Sequence, residues 1–195
     1  MSKYETGSTE GEVLENKLGL TDVDSVNEEE LVRFVRAEEN AIERLAPDTV
    51  FSVNYLLVLH QNAFGDIYEF AGKYRTVNLS KGDFSFAAAA HLPTNMESFQ
   101  EEFLVPINSK EWPDDHSLLM HLAAMHAELL FIHPFREGNG RTIRAFTRLI
   151  SLAKRDKDLD FDLITHGENF DAYVKAVQQA AIGEYSLMQE LFAAL

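Results

Sequence analysis

The stretch His133-Pro134-Phe135-Arg136-Glu137-Gly138-Asn139-Gly140-Arg141, continued by Arg144, holds the densest set of reactive side chains in the sequence. Proline disfavours the α region for the residue before it, so a helix arriving at Ile132 must end and His133 must sit on a turn. Gly138 and Gly140 flank Asn139 and permit positive φ, which turns successive N–H groups inward as an anion nest. A helix beginning directly afterwards adds its unpaired N–H groups and the positive end of its dipole. Arg141 and Arg144 fall in that first turn, on one side. Cations there are unfavourable by roughly 0.3–1 kcal/mol, and a bound polyanion reverses the sign through charge-assisted, often bidentate bonds. Glu137 is out of place beside an anion unless a divalent cation lies between them, and Mg²⁺ is the hard-ligand choice. The chemistry these residues point to is a polyphosphate site with a base, His133, at its edge.

That loop needs a rigid frame, and hydrophobic spacing predicts a helical one. Leu31, Phe34, Val35, Ile42 and Leu45 fall on one helical face behind Glu28, Glu29 and Glu30, read as a solvated acidic first turn, and Pro47 closes the helix. A second helix is expected from about Ser52 to Phe64, stopping at Gly65. Met96, Phe99, Phe103 and Leu104 keep helical spacing. Asp114 or Asp115 can cap the next helix, whose apolar residues run nearly all round to Phe131, as in the buried centre of a bundle. Arg141–Lys154, Phe170–Ala181 and Leu187–Phe192 are further helical segments. The β signal is one hairpin, Thr76-Val77-Asn78-Leu79 and Phe84-Ser85-Phe86 around Lys81-Gly82-Asp83. The expected fold class is mainly α, one domain over residues 12–195 after a polar tail at 1–11.

Composition narrows the partners. The chain has 195 residues and 22.1 kDa, enough for one core without staples. Lys+Arg is 17 against Asp+Glu 32, a net charge of -15, which repels nucleic-acid phosphate and disfavours a general DNA or RNA binder. Zero cysteines exclude disulfides and thiolate chemistry and suit a cytoplasmic protein. The run Leu118–Ile132 is broken by His121, His126 and Glu128 and is too short to span a bilayer, so no membrane role is expected.

The loop resembles the signature of the Fic (FIDO) family, His-Pro-Phe-x-Asp/Glu-Gly-Asn-Gly-Arg-x-x-Arg, at every specified position. Glu12–Leu20 is similar to the leading segment of many bacterial members. Gly65-Asp66-Ile67-Tyr68-Glu69-Phe70-Ala71-Gly72, with Arg75 and Lys81-Gly82, resembles the approach to the family's hairpin flap, Phe70 standing for the commoner Trp. The resemblance implies transfer of AMP from ATP to a Tyr, Thr or Ser hydroxyl of a target protein, with pyrophosphate leaving. His133 is then the general base and Glu137 the Mg²⁺ ligand. Gly138, Asn139 and Gly140 bind the α-phosphate region, Arg141 the β-phosphate and Arg144 the γ-phosphate. The flap, Thr76–Ala87, holds the target by strand addition, with Lys81 and Phe86 approaching nucleotide or target. Labelling is expected to decline below about pH 6.5, where an unperturbed histidine protonates.

The remaining signals read as structure. His116, His121 and His126 are spaced five apart and match no zinc pattern; His126 is expected to pack beneath the active loop. Phe84 and Phe86 suit hairpin packing as well as recognition, and Met120 and Met125 suit the core. The family's inhibitory pattern, Ser/Thr-x-x-x-Glu-Gly/Asn, has one local match, Thr6–Gly11, while Ser186–Glu190 reads as an ordinary terminal helix. The expectation is a toxin controlled by a separate antitoxin whose glutamate reaches Arg144. Two alternatives stay open: a transferase using another phosphate-containing donor, and a non-catalytic nucleotide-binding module.

Overall fold

The structure, a computed structural model, describes residues 13–109 and 111–195. The Thr6–Gly11 match and Glu12 lie outside the described residues. Of the described residues 62% are helical, and these residues include one two-stranded antiparallel hairpin.

Asp22 starts α1 (Val23–Glu43), its carboxylate accepting from Ser25 N at 2.9 Å. The helix therefore begins before the acidic run, and Glu28–Glu30 are not its first turn. The buried stripe is Val26, Glu30, Phe34 and Ala37, whereas Leu31 and Val35 are 56% and 43% exposed. The expectation of a solvated Glu30 is overturned: it is 2% exposed, turned inward where a cation from another helix receives it. Ser52 caps α2 (Val53–Phe64), which packs against α1 and ends at Gly65 as expected. Before α1, Asn16 braces the backbone at Leu14 and Leu20, and Lys17 N donates to Ile67 O.

Strands β1 (Ser80–Lys81) and β2 (Phe84–Ser85) pair with Ser80 opposite Ser85 and Lys81 opposite Phe84. Gly82 takes φ 57° at the turn. The hairpin is shorter than expected. Thr76–Leu79 is irregular because its carbonyls and side chains serve the adjoining elements: Val77 O accepts from Arg75, and Asn78 Oδ1 from Ala89 N. Helix α3 (Leu92–Phe99) runs through a π turn, Gln100–Leu104, into α4 (Val105–Ser109). The Gln100 amide oxygen, carried on that turn, accepts from Val53 N at 2.8 Å at the start of α2.

Asp114 caps α5 (Asp115–Ile132), which is buried almost all round and forms the centre of the molecule. It contacts α6 (Asn139–Arg155), α8 (Phe170–Ala180) and α9 (Ser186–Phe192). The short α7 (Asp162–Thr165) precedes α8. One hydrophobic cluster runs from Val26 to Phe192. No helix of the described residues is long and apolar enough to cross a membrane.

Candidate active site

Pro134 does end α5, but His133 takes the left-handed region, φ 53° and ψ 60°, rather than an extended one. Such a conformation costs a non-glycine residue on the order of 1–3 kcal/mol and needs surrounding bonds to hold it. Three do so. His133 N donates to Leu129 O at 3.0 Å, its Nδ1 bonds Leu130 O at 2.9 Å, and its carbonyl accepts from Arg75 Nε at 2.7 Å. A carbonyl can only accept, so Nδ1 carries the hydrogen and the neutral ring keeps its lone pair on Nε2. Burial pushes the His133 pKa down to about 3, and the nearby Arg75 and Lys81 cations act in the same direction.

The loop after His133 is braced from below. Phe135 is fully buried and stacks on His60 at 3.8 Å between ring centroids. His60 Nδ1 accepts from Gly72 N at 2.9 Å, which leaves Nε2 as the donor to Glu137 O at 3.0 Å. Burial lowers its pKa to about 4. The Asn139 amide closes the loop on itself: Oδ1 accepts from Phe135 N at 2.8 Å and Nδ2 donates to Phe135 O at 2.7 Å. Its side chain is therefore a brace, fully buried, and only its backbone N–H remains to meet a phosphate.

Gly138 precedes α6 with φ 75°, and a Cβ there would stand 2.6 Å from Phe64 Cε2. Gly140 differs from the expected nest, since only Gly138 of the pair has positive φ. Gly140 lies within α6, and what it supplies is room: a Cβ would meet the Arg144 guanidinium at 3.1 Å. The first-turn N–H groups of α6 point away from the helix body without intrahelical acceptors. Glu137 Oε1 accepts from Gly138 N at 3.0 Å and stands 3.7 Å from Arg141 Nη2.

Arg141 is held by groups remote in sequence. Nη2 donates to Glu30 Oε2 at 2.5 Å, and its guanidinium lies over Phe64 at 5.1 Å and Phe34 at 6.0 Å. The other Glu30 oxygen accepts from the Tyr68 hydroxyl at 2.6 Å. Arg144 makes no ion pair among the described residues. It reaches the Tyr173 hydroxyl and faces a cavity of about 590 Å³ that Arg141 and Arg148 also line. Fully buried His126 bonds Thr147 Oγ1 on α6 at 2.9 Å and the Tyr173 hydroxyl on α8 at 2.8 Å, joining these two helices, while the ring that braces the loop is His60.

The flap is fastened to this loop by Arg75. Its buried guanidinium donates to the carbonyls of Val77, Ala87, Ile132 and His133, and its backbone N–H to Pro134 O. Phe86 lies on the His133 imidazole with centroids 3.9 Å apart. Lys81, exposed on β1, acts on His133 through its charge. Glu137, Gly138, Asn139, Gly140, Arg141 and Arg144 thus cluster at the start of α6, while His133, five residues before Gly138, carries Phe86 against its ring and has Lys81 nearby. Sequence reasoning placed Glu30 on a solvated helix start, gave no site role to His60 or Phe64, and gave none to Arg75 beyond the resemblance. A signal for Glu30 exists: it recurs with Val26 and Phe34 at four-residue spacing, an acid inside an apolar stripe.

A family model described as the Fic/DOC family matches residues 50–151, which include the loop, the flap and the first turns of α6. Protein adenylyltransferase VbhT of Bartonella schoenbuchensis is 30% identical over 157 residues, 75% of this chain but 31% of that protein. The chain thus spans about a third of that relative. The probable protein adenylyltransferase y4lH of Sinorhizobium fredii is 28% identical over 139 residues, 71% of this chain and 70% of that one. Among solved structures, the N-terminal Fic domain of a Bartonella effector protein from Bartonella sp. AR 15-3 has a TM-score of 0.78 at 21% identity, covering 95% of this chain and 88% of that one. BepC of Bartonella tribocorum, with bound AMPPNP, has a TM-score of 0.74 at 24% identity, covering 97% and 93%. These two share the fold.

Proposed function

The chain belongs to the Fic/DOC family, and we propose that it is a protein adenylyltransferase that moves AMP from ATP to a hydroxyl of a target protein. The observation that carries this reading is the pairing of a neutral His133, its lone pair on Nε2, with the arginine-flanked start of α6. The target oxygen attacks the α-phosphorus, its proton passes to His133 Nε2, and the bond to the leaving pyrophosphate breaks. Backbone N–H groups at Asn139 and Gly140 stabilise charge at the α-phosphate, joined by that of Gly138 once Glu137 Oε1 releases it, Arg141 stabilises that of the β-phosphate and Arg144 that of the γ-phosphate. A binding-only site needs no base, which disfavours the nucleotide-sensor alternative.

The donor set also suits Mg²⁺. Glu137 is a part-buried carboxylate beside the anion site, and Mg²⁺ is characteristically held by one or two carboxylates together with substrate phosphates. When bound, the ion neutralises phosphate charge and orients the α- and β-phosphates. The target would lie along the flap, Thr76–Ala87, by strand addition. With Phe86 over the base and His133 only 5% exposed, productive binding requires that ring to shift. Arg144, without an ion pair among the described residues, suits either the γ-phosphate or a glutamate from an antitoxin, as a toxin's control would require.

The test uses purified chain, a lysate and ATP labelled at either end. Transfer from α-³²P-ATP and none from γ-³²P-ATP, lost in His133→Ala, is the expected result. Label arriving from the γ position would replace this reading by phosphoryl transfer, and label from neither would favour the binding module.

A further inference from the structure

Arg141 is bonded to an acid on another helix, and that acid lies outside the segment matching the family model. Glu30, on α1, is 2% exposed and has both oxygens occupied, one by Arg141 Nη2 and the other by the Tyr68 hydroxyl. We propose that Glu30, anchored by Tyr68, is a positioning residue that fixes the Arg141 guanidinium for the β-phosphate of the nucleotide. The inference rests on the nucleotide reading above and adds to it a residue from a different helix.

Three features favour a fixed support over a detachable competitor for the arginine. Glu30 sits within a helix whose neighbouring buried residues, Val26, Phe34 and Ala37, are core. Its second oxygen is held by a tyrosine that is itself 2% exposed and stacked on Phe70, so the carboxylate cannot leave without stranding a buried hydroxyl. The arginine is also confined by the Phe64 ring, which presses against Gly138 closely enough to exclude a Cβ there. A guanidinium has five N–H donors in a rigid plane. Fixing one edge on Glu30 sets the direction of the others, at the turn where Gly138 and Glu137 meet α6.

Equilibrium binding of ATP, ADP and AMP to the full chain, with Mg²⁺ throughout, tests this. Arg141→Ala and Glu30→Ala should each weaken ATP and ADP about tenfold and leave AMP unchanged, the loss of one charge-assisted contact. Glu30→Gln should return ATP affinity to within about threefold of wild type, because its amide oxygen still accepts from Arg141 while its NH₂ meets the Tyr68 oxygen. In the Arg141→Ala background, Glu30→Ala should cost nothing further. Tyr68→Phe, which leaves the carboxylate in place, should weaken ATP about threefold and serves if Glu30→Ala does not fold. Equal loss of AMP, a further cost in the Arg141→Ala background, unchanged ATP affinity in Glu30→Ala, or tighter ATP in that variant would each overturn the proposal. If Arg141→Ala weakens ATP and Glu30→Ala does not, only the role of Glu30 fails. If Arg141→Ala leaves ATP unaffected, the phosphate reading fails as well.

Discussion

The Phe86 ring lies over the His133 imidazole with centroids 3.9 Å apart and planes 21° from parallel. A flap residue thus keeps water from the group read as the base, and that burial lowers its pKa to about 3. The expected decline in labelling below about pH 6.5 is revised accordingly. The base form persists through mild acid, so labelling rate at low substrate should be level from pH 7.5 to 5.5 while the protein stays folded. Phe86→Ala readmits water and should raise the pKa toward 6.5, creating a decline over that interval. A level profile in the variant would show that the ring does not set the pKa.

Stability should respond to the same acid range. His60, His126 and His133 all have pKa values lowered by burial, the first to about 4. Between about pH 6.5 and 4 the unfolded chain binds protons at these positions and the folded chain does not. Folding stability must then fall as pH falls, by up to about 1.4 kcal/mol per pH unit for each fully titrating group. The thermal midpoint is expected to drop clearly from pH 7 to pH 5. An unchanged midpoint would mean that these rings accept protons in the folded state.

Two glycines with positive φ separate backbone strain from collision. Gly138→Ala meets Phe64 at 2.6 Å as well as carrying φ 75°, whereas Gly82→Ala at φ 57° meets nothing within 4 Å. The flap variant should lose about 1 kcal/mol, the backbone cost alone. The loop variant should lose at least about 2 kcal/mol and its ATP affinity with it. Equal losses in chemical denaturation would remove the steric argument.

Arg75 joins flap to loop through four carbonyls. Arg75→Ala leaves several of them buried without donors, at about 1–3 kcal/mol each before relaxation. Lysine cannot replace the planar fork. Hydrogen exchange should accelerate at Phe86 and Ala87, whose N–H groups bond Leu79 O and Phe131 O. Unaltered protection there would show that the hairpin holds its place without the arginine.

Thr142 is fully buried and its hydroxyl has no hydrogen-bond partner among the described residues. Thr142→Val keeps the shape and removes that group, and should stabilise by about 1 kcal/mol. A lowered melting temperature would reveal a partner such as an internal water.

Local chemistry was readable in the residues themselves. Pro134 stops α5 by steric clash with the residue before it, Gly138 turns the chain, and α6 follows at once; these are effects of neighbours a few bonds apart. The all-round apolar run of α5 likewise announced a central helix. What depended on distance along the chain was not readable. Glu30 is 111 residues from Arg141 and His60 is 77 from Glu137, and no local pattern names either partner. Nor could spacing say that Asn139 spends its amide on Phe135, or that Gly140 makes room for Arg144 rather than turning the backbone. The His133 pKa shows the division most plainly. A histidine's proton affinity is set by the water and charge around it, and both were decided only when Phe86 and Arg75 folded over the loop.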